Sequence, residues 1–415
     1  MKIELITIGD ELLLGFVVDT NAVHLARVLA GVGVEVVRRS TVPDEAEAIA
    51  ASVREALDRT GGVVTTGGLG PTSDDMTKPA IAALFGRQLQ LNEGIVALIE
   101  ERFRSFGFTG PMPPGNRQQA MIPDGAVIIP NAHGTAPGIW IEDDRGRWVA
   151  MLPGVPREMR GMLADELLPM LRQREQDVPT VVLSRTLRTT GIGESALADL
   201  LGDDATGFPD LPLAYNPGWQ GTELRLTARG MSLPQARKHL DDGIAKLYSR
   251  VERYVYAEET TDLAEVVLRL ARARGARIAT AESCTGGLLG ARLTAIPGAS
   301  DVYTGGIVAY DDAVKLRIIG VDPEVLRSEG AVSEAIALEM ARRIAKQMQC
   351  DVGIGITGIA GPGGATPGKP VGTVWIAVQV QDKSRTHGRV FIGDREEIRL
   401  RATQAALDMT RHMLA

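Results

Sequence analysis

The chain has 415 residues, 44% of them apolar and 23% charged, an ordinary globular composition that excludes collagen-like, coiled-coil and disordered polypeptides. A formal net charge of −7 without a dense Lys/Arg block, and an aromatic content of 4%, argue against a nucleic-acid binder and against a membrane-surface protein. Two cysteines, Cys284 and Cys350, exclude a disulfide framework and cannot by themselves complete a zinc site, and no apolar run approaches the ~20 residues of a membrane span. Met1-Lys2-Ile3-Glu4 reaches Asp10-Glu11 without a signal segment, so the expected location is the cytoplasm.

At roughly 100–200 residues per domain the length predicts two to four domains. Lys2 to Ile8 reads as a strand, Asn21 to Ala30 as a helix and Val34 to Thr41 as a strand. Asp44-x-x-Glu47 reads as a capping box that opens the next helix, and Val63 to Thr66 as a third strand. This alternation predicts a parallel sheet covered on both faces, with function at the carboxyl ends of its strands. From about Gln173 to Ala257 the pattern becomes a small α+β unit: strands at Thr180 to Thr190, Leu213 to Asn216 and Thr222 to Ala228, then an amphipathic helix from Pro234 to Val251. Its polar residues Arg188, Thr190, Glu194, Tyr215 and Asn216 read either as facing a neighbouring site or as solvated loops. A second α/β pattern then begins. Leu263, Val266, Val267 and Leu270 mark one helix face, Arg277 to Ala281 a strand, and Ser333 the cap of a helix with the apolar stripe Ile336, Ala337, Met340, Ala341 and Ile344. Val352 to Ile356 and Val371 to Val380 are further strands, and Glu396 to Met413 closes the chain as a helix. The resulting domains are 1–172, 173–257 and 258–415.

Two N-terminal loops put carboxylates and glycines at strand ends. Gly9-Asp10-Glu11 opens the first, and Gly67-Gly68-Leu69-Gly70-Pro71-Thr72-Ser73-Asp74-Asp75 forms the second. Glycines admit a phosphate to the backbone, hydroxyls and N–H groups bond its oxygens, and carboxylates hold a hard cation such as Mg²⁺. The competing reading is a plain glycine turn in which Asp74-Asp75 cap the following helix.

In the C-terminal third, the strand Arg277 to Ala281 runs into Glu282-Ser283-Cys284-Thr285-Gly286-Gly287, placing Ser283 at a strand-to-helix junction. Helical N–H groups there can stabilise an oxyanion or bind phosphate. No histidine lies nearby in sequence, but Tyr310-Asp311-Asp312-Ala313-Val314-Lys315 supplies a lysine that serves a serine as base when neutral. Cys284 is a rival nucleophile, because a helix N-terminus lowers a thiol pKa, and a simple N-cap is a third reading. Thr357-Gly358-Ile359-Ala360-Gly361-Pro362-Gly363-Gly364 is a second glycine-rich loop, and Arg395 offers a guanidinium suited to phosphate.

The N-terminal loops, together with Pro114 to Gln119, Asn131 to Gly138 and Leu152 to Met159, resemble the molybdopterin-binding domain in the version carried by the CinA (competence/damage-inducible) family. The resemblance implies a three-layer α/β/α domain over about the first 170 residues that hydrolyses ADP-ribose to AMP and ribose 5-phosphate with a divalent metal such as Mg²⁺. It implies that Asp74 and Asp75, with Asp10 or Glu11, hold the metal, while Gly67, Gly68, Gly70, Thr72 and Ser73 cradle phosphate. The stretches Thr280 to Gly287, Tyr310 to Lys315, Gly330 to Ser333, Gly358 to Pro362 and Lys369 to Trp375 are similar to the CinA C-terminal domain, also known as nicotinamide mononucleotide (NMN) deamidase. That resemblance implies an α/β domain without a cofactor in which Ser283 is the nucleophile, Lys315 its base, Tyr310 a supporting group, and Thr357 and Arg395 substrate contacts. N–H groups near Thr285, Gly286 and Gly287 would stabilise the oxyanion. The expectation is a bifunctional hydrolase of small nucleotides, a homodimer with no membrane or nucleic-acid partner. The alternatives are a molybdopterin binder without hydrolysis and a non-enzymatic protein of competence.

Overall fold

The computed structural model describes residues 1–415 except 73, 106, 109 and 175–179. It divides into two compact units, one of Met1–Leu183 with Ala228–Lys238, the other of Ser184–Thr227 with His239–Ala415. Among the described residues no helix is long and apolar enough to cross a membrane.

In the first unit the chain order is β1 (Lys2–Ile8), α1 (Thr20–Ala30), β2 (Glu35–Val42), α2 (Ala46–Thr60), β3 (Gly62–Thr66), α3 (Thr77–Leu84), β4 (Val127–Ile129), β5 (Gly138–Glu142) and β6 (Trp148–Leu152). The sheet order is β2-β1-β3-β6-β5-β4. The first four strands are parallel, as the alternating pattern predicts, but β5 and β4 return antiparallel, so the sheet is mixed. Every residue of β3 and β6 is buried, which is why both read as continuous runs rather than alternations. Asp19 caps α1 by accepting from the Ala22 N–H at 2.9 Å. The capping box at Asp44 does not form: α2 starts later, from Glu45, and its cap makes no side-chain bond. The Asp44 carboxylate instead accepts the N–H of Asp10, across from the end of β1.

The middle elements are β7 (Thr180–Thr189), α4 (Glu194–Leu201), β8 (Gly207–Phe208), β9 (Leu211–Gly218), β10 (Gly221–Ser232), α5 (Leu233–Val251) and β11 (Val255–Glu258). Their sheet runs β8-β9-β10-β7-β11. Along β10 burial alternates strictly from Thr222 to Ala228, the two-residue period of a strand covered on one face.

The C-terminal elements are α6 (Leu263–Ala273), β12 (Ile278–Glu282), α7 (Leu288–Thr294), β13 (Tyr303–Val308), α8 (Glu334–Gln347), β14 (Val352–Gly358), β15 (Thr373–Val380), β16 (Lys383–Val390) and α9 (Arg395–Leu414). The sheet order is β13-β12-β14-β15-β16. β13, β12 and β14 are parallel, and β15 and β16 antiparallel. The predicted stripe of α8 is fully buried, and Ser333 caps that helix through the Ile336 N–H. α8 lies unusually close to β14. A Cβ at Gly355 would stand 2.3 Å from the Ala337 carbonyl oxygen, and one at Gly353 2.0 Å from that of Ala341. The chain therefore spends two glycines in a strand, where they are intrinsically poor, to seat the helix. Gly355→Ala should push α8 off the sheet and destabilise the domain by about 1–3 kcal/mol, read as a lower urea midpoint; an unchanged midpoint contradicts the tight seat.

Candidate functional site

The three parallel C-terminal strands end side by side, and the residues that follow each of them line one cavity of about 250 Å³. Ser283 and Cys284 follow β12, Tyr310 and Lys315 come after β13, and Thr357 lies in the last two residues of β14. Arg395, the first residue of α9, closes another side. This is the position where an open α/β sheet collects ligands. The five residues proposed from sequence as nucleophile, base, supporting group and substrate contacts are thus brought together.

Four of them are held by specific side-chain bonds. Lys315 is 2% exposed, and its Nζ donates to Asp312 Oδ1 at 2.9 Å. Asp312 lies in a short turn that Asp311 opens by accepting the Ala313 N–H. The Arg395 guanidinium donates to the Gly361 carbonyl at 2.6 Å and to the Tyr310 hydroxyl at 2.8 Å, tying the glycine-rich loop to a tyrosine that is 58% exposed. Thr357 Oγ1 donates to the Ala331 carbonyl at 2.6 Å.

The serine loop also carries the rival nucleophile and the three residues expected to supply N–H groups. Cys284 shares the cavity wall, but its thiol is pushed up to about 12, chiefly by burial and further by the Glu282 carboxylate. Desolvation outweighs any helix-terminus effect, so Cys284 stays protonated and is a poor nucleophile at neutral pH. Thr285, Gly286 and Gly287 are not among the cavity-lining residues. The Gly286 N–H is spent on the Ser283 carbonyl, and the Thr285 carbonyl accepts from Arg399. Glu282 has a role that sequence reading missed. Its buried carboxylate accepts the N–H groups of Leu289 at 3.0 Å and Gly290 at 2.8 Å, occupying the N-terminus of α7. A carboxylate a few residues before a helix is the signal that marks it.

In the first unit, the loops after β1 and β3 carry the acidic residues. Burial first, and then the carboxylates of Asp10, Glu11 and Asp74, hold Asp44 above the usual carboxylate range, against the Asp10 N–H that favours its ionised form. Asp44, expected from sequence to cap a helix, is therefore a fourth acid of this group. Asp75 behaves differently. Its oxygens accept from the Gly70 N–H, the Thr72 N–H and the Thr72 hydroxyl, so it staples the loop shut. Gly67 has φ +110°, and a Cβ there would stand 2.2 Å from the Ile8 carbonyl oxygen. Gly68 lies against Thr77 and Gly70 against Asp75. Ser73 lies outside the described residues. Among the described residues no three His, Cys, Asp or Glu side chains are gathered to hold a metal by themselves. Lys78, also missed, is buried with its Nζ donating to the Gln118 and Gln119 carbonyls at 2.6 and 3.1 Å. Burial pulls its pKa down to about 8, against the Asp75 carboxylate.

Three family models match consecutive stretches of the chain. They are described as "Probable molybdopterin binding domain" over residues 4–173, "Damage-inducible protein CinA KH domain" over 184–257 and "CinA C-terminal domain" over 260–414. A CinA-like protein of Gemmatimonas aurantiaca is 55% identical over 416 residues, covering 100% of this chain and 97% of its own. A CinA-like protein of Dictyoglomus turgidum is 39% identical over 414 residues, covering 100% and 99%. A crystal structure of a competence-damaged protein (CinA) superfamily protein from Enterobacter cloacae is 38% identical, covers 39% of this chain and 96% of that chain, and superposes with a TM-score of 0.36.

Proposed function

Because the chain belongs to the CinA family, and because Ser283, Lys315, Tyr310, Thr357 and Arg395 line one cavity, we propose that it is a nicotinamide-nucleotide amidase that converts NMN to nicotinic acid mononucleotide and ammonia. The observation that carries this reading is a buried lysine and a serine on the same cavity wall, with an arginine at its edge. Lys315 takes the Ser283 hydroxyl proton, and Asp312 holds the ammonium that results. The serine oxygen bonds to the carboxamide carbon, the C–N bond breaks, and nitrogen leaves as ammonia with the proton returned by Lys315. Water then cleaves the ester to the carboxylate and frees the serine. Arg395 is the counter-charge for the nucleotide phosphate. Lys315→Ala should cut ammonia release from NMN by roughly 10²–10⁴-fold. Cys284→Ala should leave it at the same order of magnitude, and loss of activity in that variant contradicts the assignment.

For the first unit we propose hydrolysis of ADP-ribose to AMP and ribose 5-phosphate. The negative charge that Asp10, Glu11 and Asp74 exert on Asp44 supports it, since such a field attracts a cation. These residues suit a divalent metal held by one or two carboxylates plus the substrate's own phosphates. Asp74 with Asp10 or Glu11 would hold it, and the metal would supply charge neutralisation and polarisation of a phosphoryl oxygen. Asp75 and the glycines shape the loop around the diphosphate. Addition of Mg²⁺ should produce AMP from ADP-ribose, and chelation or Asp74→Asn should abolish it while ammonia release from NMN persists. Binding of a pterin phosphate without any AMP release favours the molybdopterin-binding alternative.

A further inference from the structure

The second unit holds another cavity, of about 770 Å³, that shares no lining residue with the Ser283 cavity. Its size falls within the roughly 300–1,000 Å³ of small-molecule sites. One wall is α9, which presents Glu397, Arg401, Gln404, Asp408 and His412 at successive helical turns. A second wall is the edge strand β16, whose alternate residues Arg385, His387 and Arg389 share one face. The loop Gly191-Ile192-Gly193 leading into α4 and the turn between β9 and β10 complete it.

Gln404 marks this cavity as built for something. It sits in the middle of a helix, is 3% exposed, and neither its Oε1 nor its Nε2 has a hydrogen-bond partner. The buried Arg401 Nε beside it on the same wall is also unpartnered. A buried amide left unpaired on both atoms is destabilising unless a ligand pairs with it. The charges point to an anion. Of the three carboxylates in the wall, Glu397 is used by the capping box at Asp394 and Asp408 is bonded to Arg411, which leaves Glu194 against the four guanidinium groups of Arg253, Arg385, Arg389 and Arg401 that line the same space. The aromatic rings of Trp219, Tyr254 and Phe391 add flat apolar surface.

A primary amide with its donor and acceptor side by side matches the N6 and N7 edge of adenine, and an arginine row matches phosphate. We propose that this cavity is a second nucleotide site that takes an adenine mononucleotide, with the base edge on Gln404 and the phosphate on Arg385 and Arg389. RNA fits less well. Gly218-Trp219-Gln220-Gly221 has the glycine spacing with which KH modules clamp a strand, but here it turns a hairpin. Its Trp219 ring lies 4.9 Å from the Arg292 guanidinium, and Gln220 is bonded to Arg188 and Asp262.

The test is photolabelling of the full chain with 8-azido-AMP, with labelled peptides mapped by mass spectrometry. Labelling is expected in the segments 190–222, 253–254 or 385–412, with protection by AMP and not by ribose 5-phosphate at the same concentration. Gln404→Leu and the double variant Arg385→Ala/Arg389→Ala should each reduce this labelling about tenfold or more. The double variant alters only exposed positions on an edge strand, so it keeps the test sound if Gln404→Leu melts early. Labelling confined to other segments, labelling undiminished in folded variants, or equal protection by ribose 5-phosphate overturns the proposal.

Discussion

The C-terminal site depends on one buried charge. Glu282 ends β12, a strand between two parallel neighbours whose five residues are all buried, so its carboxylate has no water to turn to. It is satisfied by the first N–H groups of α7, which fixes where that helix begins and how tightly the chain turns before it. Ser283 and Cys284 lie inside that turn, and Arg399 ties its Thr285 carbonyl to α9. The strand ends, the turn and the long closing helix are thereby locked into one arrangement around the cavity. Remove the carboxylate and two helix donors are orphaned together with the geometry of the serine.

The first unit uses carboxylates in two ways. Asp75 closes the loop that follows β3 and spends its oxygens on the loop's own donors. Asp44, by contrast, is held above the usual carboxylate range by burial and by the negative charges of Asp10, Glu11 and Asp74. Gly67 packs against the end of β1 and Gly70 against Asp75, so the loop has a fixed shape before any ligand arrives.

Much of this was legible in sequence because it rests on periodicity. The buried stripe of α8, the cap at Ser333, the three-strand start of the chain and the closing helix follow from spacing alone, and each appears where the pattern puts it within a residue or two. Ser283 and Lys315 stand out as a nucleophile and base at strand ends, while the roles of Tyr310, Thr357 and Arg395 in the same cavity follow from the family resemblance. What escaped depends on tertiary packing. Asp44 looks like a cap until the Asp10 N–H competes for it. Cys284 looks activated until the depth of its burial is known. Gln404 looks like one more polar residue on a helix, and only its surroundings reveal an amide without partners. The antiparallel return of β5 and β4 likewise leaves no mark in local alternation.

The central claim is that Ser283 is the nucleophile of an amidase, and the most direct test is ammonia release from NMN by the purified full chain beside its Ser283→Ala variant. The account predicts steady release by the wild type and none above background in a variant that melts at the same temperature. Release that survives in Ser283→Ala, or no release from folded wild type, would contradict it.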